Sequence, residues 1–428
     1  MTIGNGRTEL ARNVRRIGHL DLPGGGQVVV QGDYAYVGHL KPPDGTTILD
    51  VSDPKNPRVV ATITLQGTDS HTHKVRVVGD IMIVNVEQND RHFRRKGDRI
   101  PEVRARLQAA LGRPPSDAEI AAELKVRPED IPVLEEARRR GYRDGGFRIY
   151  DVSDRTNPRL LRYEKTFGFG THRFDMDERY AYISTEMEGY VGNILVIYDI
   201  RDPSRPEEVA RWWMPGQHIA GGETPTWQGY RNRLHHAMRC GDELWAAVWH
   251  AGIRVIDVSD VTRPRTIAEH DYHPPIPEPT HTVMPVSVPV DGRRIAVAID
   301  EEHEHVRGQP HGFLWVFDVT DLPRIRPLST FHVGELDSPW SRAPGRFGAH
   351  QFQEHLDDTL VFTTWFSGGL RVIDVGDPFL PREVGHFIPE PVGGRPSPQS
   401  NDVDVDRRRG LIYLIDRDVG FDILEFQG

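Results

Sequence analysis

The sequence predicts an all-β fold: a seven-bladed β-propeller closed by an N-terminal strand, with a small α-helical insertion in the second blade. Three observations predict it. A short β-branched strand running into an Asp-rich turn, Gly252-Ile253-Arg254-Val255-Ile256-Asp257-Val258-Ser259-Asp260, returns in near-copies that end at Asp53, Asp154, Asp202, Asp321 and Asp377, and a last copy, Gly420 to Phe426, keeps the strand without the turn. Each copy sits within a unit of four short strands that recurs seven times. Glycine (41) and proline (33) are spread along the whole chain, as turns rather than as a low-complexity tail. Four-stranded units repeated in this way close radially, which hides their sheet edges.

Within a unit, the repeat strand is the third. The second strand precedes it, entered by a Gly-Asp or similar turn, as in Asp33 to Val37, Asp80 to Val84, Tyr180 to Ile183, Leu244 to Val248 and Leu411 to Leu414. The first strand lies before that, as in His73 to Val78, and a fourth follows the Asp turn, as in Pro57 to Ala61 or Pro381 to Phe387. The last unit lacks its fourth strand because the chain stops at Gly428, and Val14 to Leu20 resembles Arg382 to Phe387. Residues 13–20 are therefore expected to complete the last blade, since an open ring would leave a bare edge strand. One propeller spanning 1–428 is expected, interrupted by an inserted subdomain at 88–145.

That insert reads as helical. Pro101 is expected at a first-turn position and Gly112 at a stop. Ser116 with Glu119 forms a capping box, and Pro128 opens a helix that Gly141 ends. Ile120, Ala121, Leu124, Ile131 and Leu134 supply an apolar face. The run Leu111 to Leu124 resembles the helix-turn-helix of bacterial sigma factors, but a chain of net charge -10 is a poor partner for phosphates. A helical lid or a dimerisation arm is the expected role, with no nucleic acid bound. A single cysteine, Cys240, excludes an internal disulfide framework and a thiolate metal cage. Met1 to Leu20 is polar and basic with no apolar core, and no run is long enough to span a bilayer, so a soluble cytoplasmic protein without a membrane partner is expected.

Aligning the units exposes a column of histidines. The residue seven before Asp80 is His73, and the same offset gives His172 before Arg179, His235 before Asp242 and His350 before Asp357; His281 opens the longer first strand of the fifth unit. The matching residues are Asn401 in the last unit and Gly26 in the first. First strands of a propeller line its axis, so these side chains are expected to converge on one mouth. Five imidazoles there would cage one transition metal ion, with Fe(II) expected first and Cu, Zn or Mn as the other candidates. His236, beside His235, competes for the role. Loops between second and third strands reach the same mouth and carry Glu87, Glu186, Glu188, His250, Glu301, Glu302, His303, Glu304 and His305. Of these, Glu87, Glu186 and Glu301 are candidates to hold the histidines' second nitrogens, and Trp227, Trp249, Trp365 and Phe366 are candidates to wall a substrate pocket. The repeat aspartates, Asp257 and Asp260 among them, are instead expected to cap their own turns.

The strand Leu/Ile-x-Val-Ile/Phe-Asp-Val-Ser/Thr-Asp followed by a Pro-Arg strand resembles the LVIVD-repeat family of β-propeller proteins, over nearly all the chain outside the insert. The resemblance implies the scaffold and says little of function. In plan, though not in sequence motif, the histidine ring is similar to that of the carotenoid cleavage dioxygenases, propellers whose axial iron is held by four histidines with glutamates behind. It is also similar in plan to the copper propellers of the selenium-binding and methanethiol oxidase family, whose motifs are absent. P-loop, Rossmann and nucleophile-elbow motifs are absent too. The expected function is a metal-dependent oxidoreductase, a non-haem iron or copper oxygenase taking O2 and a small unsaturated or aromatic organic substrate. Two alternatives stand beside it. One is a non-redox lyase or hydrolase using metal-bound water, with Glu301 or His250 as base; the other is a non-enzymatic propeller that binds a protein partner. A homo-oligomer formed through the insert is compatible with each.

Overall fold

The Asp-rich turns are built by their own side chains. Asp257 accepts the Ser259 N–H at 2.9 Å and Asp260 accepts the Thr262 N–H at 3.0 Å. The same two bonds recur at Asp50 and Asp53, Asp199 and Asp202, and Asp374 and Asp377. The arginine opening the next strand then returns to the first aspartate, as in Arg265 to Asp257 at 2.8 Å and Arg58 to Asp50 at 2.6 Å. Asx turns of this kind satisfy backbone donors that a tight reversal leaves exposed. These carboxylates are committed to the turns.

The structure is a computed structural model that describes residues 3–4, 7–8, 10–227, 229, 231–303, 306 and 308–428. It is mostly β, arranged as antiparallel meanders in which each strand pairs with the next. The first runs Gly25–Gln31, Tyr34–His39, Asp44–Asp50, Arg58–Thr64. Val75–Val78, Ile81–Gln88, Gly146–Asp151 and Arg159–Lys165 form the second, and the third spans Phe167–Met176 to Glu207–Trp212. These two are linked into one sheet by a bridge between Glu87 and Gly170. Later meanders begin at His236–Cys240, Thr280–Pro285, Ala349–Phe352 and Ser400–Asp406.

Successive meanders pack face to face through β-branched and aromatic side chains. Tyr36 and Ile48 meet Met82 and Val84, and Phe147 and Ile149 meet Ile183 and Val196. Phe362 and Val372 meet Ile412 and Leu414. The last meander returns to the first, where Tyr413 and Ile415 pack on Val37 and Leu49. The strand Gly25–Gln31 touches both Val75–Val78 and Ser400–Asp406, so the first strands follow one another around an axis. The arrangement is a propeller-like ring, with each buried Val, Ile or Leu worth about 1.5–3 kcal/mol of transfer free energy.

The N-terminal segment straps two neighbouring sheets. Leu10–Arg12 pairs with Arg382–Ile388, Asn13 turns the chain at φ 54°, and Val14–Leu20 pairs with Gly420–Phe426.

Three helices follow the second meander's second strand: α1 (Arg91–Leu111), α2 (Asp117–Leu124) and α3 (Asp130–Arg140). Ser116 and Glu119 form a capping box, and Gly112 and Gly141 sit at C-caps. Ile100, Val103, Ile120, Leu124, Ile131 and Leu134 give the insert a core of its own. Pro101 departs from expectation: α1 begins at Arg91 and carries Pro101 in its interior. An interior proline costs about 3 kcal/mol. Ile100 and Val103, buried on either side, and the ion pairs at the start of α1 offset it. There Arg91 pairs with Glu87 and Arg95 with Glu186, while Arg140 of α3 reaches Asp69 at 2.8 Å. Among the described residues no helix is long and apolar enough to cross a membrane.

Candidate metal centre

At its axial end, each innermost strand tends to carry one residue too many. Thr171 pairs with Thr185 and Arg173 with Ser184, leaving His172 between them. The same slip occurs at Gly26, His281, His350 and Asn401. At the fourth meander the His235 N–H donates to the Ala247 carbonyl at 2.8 Å while His236 pairs with that same Ala247. Two residues facing one is a β-bulge, which re-aims a side chain that would otherwise alternate to the next face. The bulges turn His172, His235, His281 and His350 inward, and with His71 and His73 their rings stand in an arc, with successive centroids 4.4, 5.3, 4.8, 4.1 and 4.5 Å apart. They border a cavity of about 280 Å³. In the first meander the position is Gly26, where a Cβ would lie 2.7 Å from the His73 carbonyl oxygen. A side chain there would collide with the arc.

The partners of the Nδ1 atoms set the tautomers. His172 Nδ1–H donates to Glu87 at 3.0 Å, and His235 Nδ1–H donates to the His281 carbonyl at 2.7 Å. His350 Nδ1–H donates to the Asn401 carbonyl. The Thr282 hydroxyl donates to Gln351 at 2.7 Å, so it accepts from His281 Nδ1–H at 2.9 Å. Four imidazoles therefore keep their lone pairs on Nε2. His73 differs. The Asn85 amide is oriented by the Lys74 N–H into Oδ1 at 2.8 Å and by donation from Nδ2 to the Thr171 carbonyl at 3.0 Å. Its Nδ2 then donates to His73 Nδ1 at 3.2 Å, which leaves the His73 proton on Nε2.

His172 Nε2 and His235 Nε2 face each other at 2.9 Å. Two lone pairs at that separation repel unless a proton or a cation lies against both. Burial, the leading cause, holds His172, His235, His281 and His350 well below the ordinary histidine range, which disfavours the proton. The ring nitrogens are thus in the neutral form that ligates metals. His235, His281 and Glu301 each offer a ligand atom within 4.8 Å of one another, as do His71, His73 and Glu87.

Two carboxylates brace the arc. Glu87 accepts from His71 Nε2 at 3.1 Å as well as from His172, and it pairs with Arg91 of α1, whose Nη2 donates to His172 Nε2 at 3.3 Å. Glu301 faces His281 Nε2 at 3.9 Å and His350 Nε2 at 3.8 Å, and is held by Arg346 at 2.6 Å and His303 at 3.2 Å. Burial pushes the Glu301 carboxyl up, but His303 and Arg346 outweigh it and hold it well below the usual carboxylate range, so it is anionic.

Other expected site residues lie elsewhere. Glu186 accepts the Phe169 N–H at 2.9 Å and pairs with Arg95, so it anchors α1 and is absent from the cavity wall. Glu188 is exposed. Glu302 accepts the Phe347 N–H at 3.0 Å and His311 Nδ1–H at 2.8 Å, joining two loops. His236 alternates away from the arc, with Glu354 as its nearest acid at 3.9 Å. His250 bonds the Pro277 carbonyl at 3.3 Å and, with Trp227 and Trp249, lines a side groove next to α1. Trp249 also stacks on His235, centroids 5.1 Å apart. Trp365 does not wall a substrate pocket: it is fully buried in the hydrophobic core against Phe331, because its strand turns it between sheets. Phe366 backs His350 at 4.8 Å and is likewise closed off from the cavity. Asn401 is braced by donation to the Gly26 carbonyl and by Arg417 Nε at 2.6 Å, and its carbonyl orients His350. Glu304 and His305 lie outside the described residues.

The structure adds residues that the column did not reveal. His71 lies two before His73, and the two rings stand 4.4 Å apart. Arg417 sits in the loop between second and third strands of the last meander, the loop class that also supplies Glu87 and Glu301. Lys74 and Arg346 had no such signal. Lys74 is buried, 3 % exposed, and lines the cavity. Burial, with Arg173 behind it, pulls its ammonium down to about 7.

The comparisons with known proteins concern fold. The LVIVD repeat model matches residues 25–64 and 176–212, so the chain carries LVIVD repeats. No curated protein sequence matches the chain. Among solved structures it is similar to Raptor from Chaetomium thermophilum, with 12 % identity, a TM-score of 0.54, and coverage of 96 % of this chain and 29 % of that one. It is also similar to a chain of a mitotic checkpoint complex, at 8 % identity, TM-score 0.53, and coverage of 99 % and 94 %. At such identities the likeness is one of fold alone.

Proposed function

We propose that the chain is a metal-dependent oxidoreductase whose reaction site is the histidine arc, on a seven-bladed propeller completed by Val14–Leu20. The ligands are His172, His235, His281 and His350. The observation that carries this reading is the set of Nδ1–H bonds that turn four neutral Nε2 lone pairs toward one cavity, two of them only 2.9 Å apart. An all-nitrogen donor set suits iron or copper, and such an ion would supply redox chemistry with O2. The protein's part is positional. Glu87 fixes the His172 ring and ties it to Arg91, so that α1 covers the cavity as a lid and limits water. Glu301, anionic beside His281 and His350, supplies negative charge at that end of the cavity. Trp227 and Trp249 offer a neighbouring groove for the apolar part of a small organic molecule.

A non-redox hydrolase or lyase using metal-bound water is the second reading, favoured by the position of Glu301 beside His281 and His350. Elemental analysis of the purified protein separates them. Near-stoichiometric iron or copper with O2 uptake is the expected result, zinc favours the second reading, and a protein without metal, or a His172→Ala variant that keeps its metal, overturns both.

A further inference from the structure

The chain carries a net charge of -10, yet the wall of the histidine cavity has the opposite balance. Five cationic side chains line it, Lys41, Lys74, Arg91, Arg346 and Arg417, against three anionic ones, Glu87, Asp90 and Glu301. Two of the cations are already spent, Arg91 on Glu87 and Arg346 on Glu301. Lys74 and Arg417 are not. Among the described residues Lys74 Nζ has no hydrogen bond or ion pair, although the residue is only 3 % exposed. Arg417 uses Nε on Asn401 Oδ1 at 2.6 Å and lays its guanidinium over Phe366 at 4.9 Å, while its Nη atoms have no acceptor among the described residues. Asp402, Glu301 and Glu354 attract the Lys74 ammonium, but among the described residues none of them contacts it, so an anion in the cavity would be its direct partner. Purely aliphatic side chains are scarce on the wall. Leu40 is its one aliphatic side chain among the described residues, Phe366 is shut behind His350, and Trp365 is buried in the core.

We infer that the histidine cavity binds a small oxyanion, the carboxylate or phosphate group of its substrate, between Lys74 and Arg417. The planar Arg417 fork takes two oxygens side by side and Lys74 acts as a point charge on the other side. The inference rests on reading the cavity as the reaction site, but its test does not need the metal. The anion sits beside His73, whose proton is on Nε2 and can donate to it. A cavity of about 280 Å³ has room for such a group and for part of the molecule that carries it, and His92, which lines both the cavity and the groove of Trp227 and Trp249, marks where a larger body would extend.

The test is calorimetric titration of the full-length protein, both as isolated and after chelator treatment, with malonate, inorganic phosphate and the uncharged malonamide. Malonate or phosphate should bind and malonamide should not; which anion binds more tightly tells carboxylate from phosphate. Lys74→Met and Arg417→Met should each raise Kd at least tenfold with metal content unchanged, and Lys74→Arg should restore most of the affinity. Binding of neither anion, equal binding of malonamide, or anion affinity untouched in Arg417→Met overturns the proposal. Arg417 is partly exposed, so that variant reads the outcome even if Lys74→Met does not fold. Loss of metal in the wild type would sink the redox reading and leave the anion titration of the chelated protein still decisive.

Discussion

The Nε2 atoms of His172 and His235 stand 2.9 Å apart with both protons committed to Nδ1, and this pair defines the site more sharply than the number of histidines does. The same reasoning separates His73 from its neighbours. Because the Asn85 amide donates to His73 Nδ1, ligation by His73 through Nε2 would need the ring to change tautomer against a bond already made. His73→Ala should therefore keep most of the metal measured by plasma emission, whereas His281→Ala should lose it. Equal loss in both would mean that all the rings of the arc ligate alike. The column of histidines was legible because the Asp turn supplies a fixed ruler. The tautomers were not, since they depend on the Glu87 carboxylate, the His281 and Asn401 carbonyls and, through Thr282, on Gln351, each from another meander than the ring it orients.

At the scale of elements, the insert shows what local signals do and do not carry. Its capping box and its two C-cap glycines are local interactions within a few residues, and they form where sequence places them. Pro101 is also a local signal, and it is overridden. Arg91 and Arg95 are pulled toward Glu87 and Glu186 on the propeller, which starts α1 early and leaves the proline in mid-helix. Pro101→Ala should raise the unfolding free energy of the insert by about 1–3 kcal/mol, read as slower amide exchange across 97–107. Unchanged exchange would show that the helix is already bent to suit the proline. The β-bulges are the counterpart in the strands. A one-residue slip flips a side chain to the opposite face, and no propensity in Thr171-His172-Arg173 announces it.

For the whole molecule, the buried histidines make stability depend on pH. In the unfolded chain they titrate near 6.5, whereas in the fold His73, His172, His235, His236, His281 and His350 are held well below that value, chiefly by burial. Below about pH 6.5 the unfolded state therefore takes up protons that the folded state refuses, and stability falls as pH falls, by up to about 1.4 kcal/mol per pH unit for each such histidine. Asp300 and Asp402, pushed up to about 8 and about 7 by burial, pull the other way, but they are outnumbered. Denaturant midpoints should drop steeply between about pH 6.5 and 5, and more so in the metal-loaded protein, where protons compete for the same lone pairs. A flat profile would mean that the rings are accessible and titrate normally.

Mostly-β architecture and the LVIVD repeats follow from sequence because both are periodic. A strand, an Asp turn and a returning arginine are all settled within a dozen residues, so each copy reports the same fold again. The meeting of His172 with Glu87, of His350 with the Asn401 carbonyl, and of Lys74 with a cavity that Arg417 also lines depends on residues from different sheets and on bulges that re-aim them. Such contacts come only from closing the chain on itself, because no spacing along it encodes which side chain a neighbouring sheet will present.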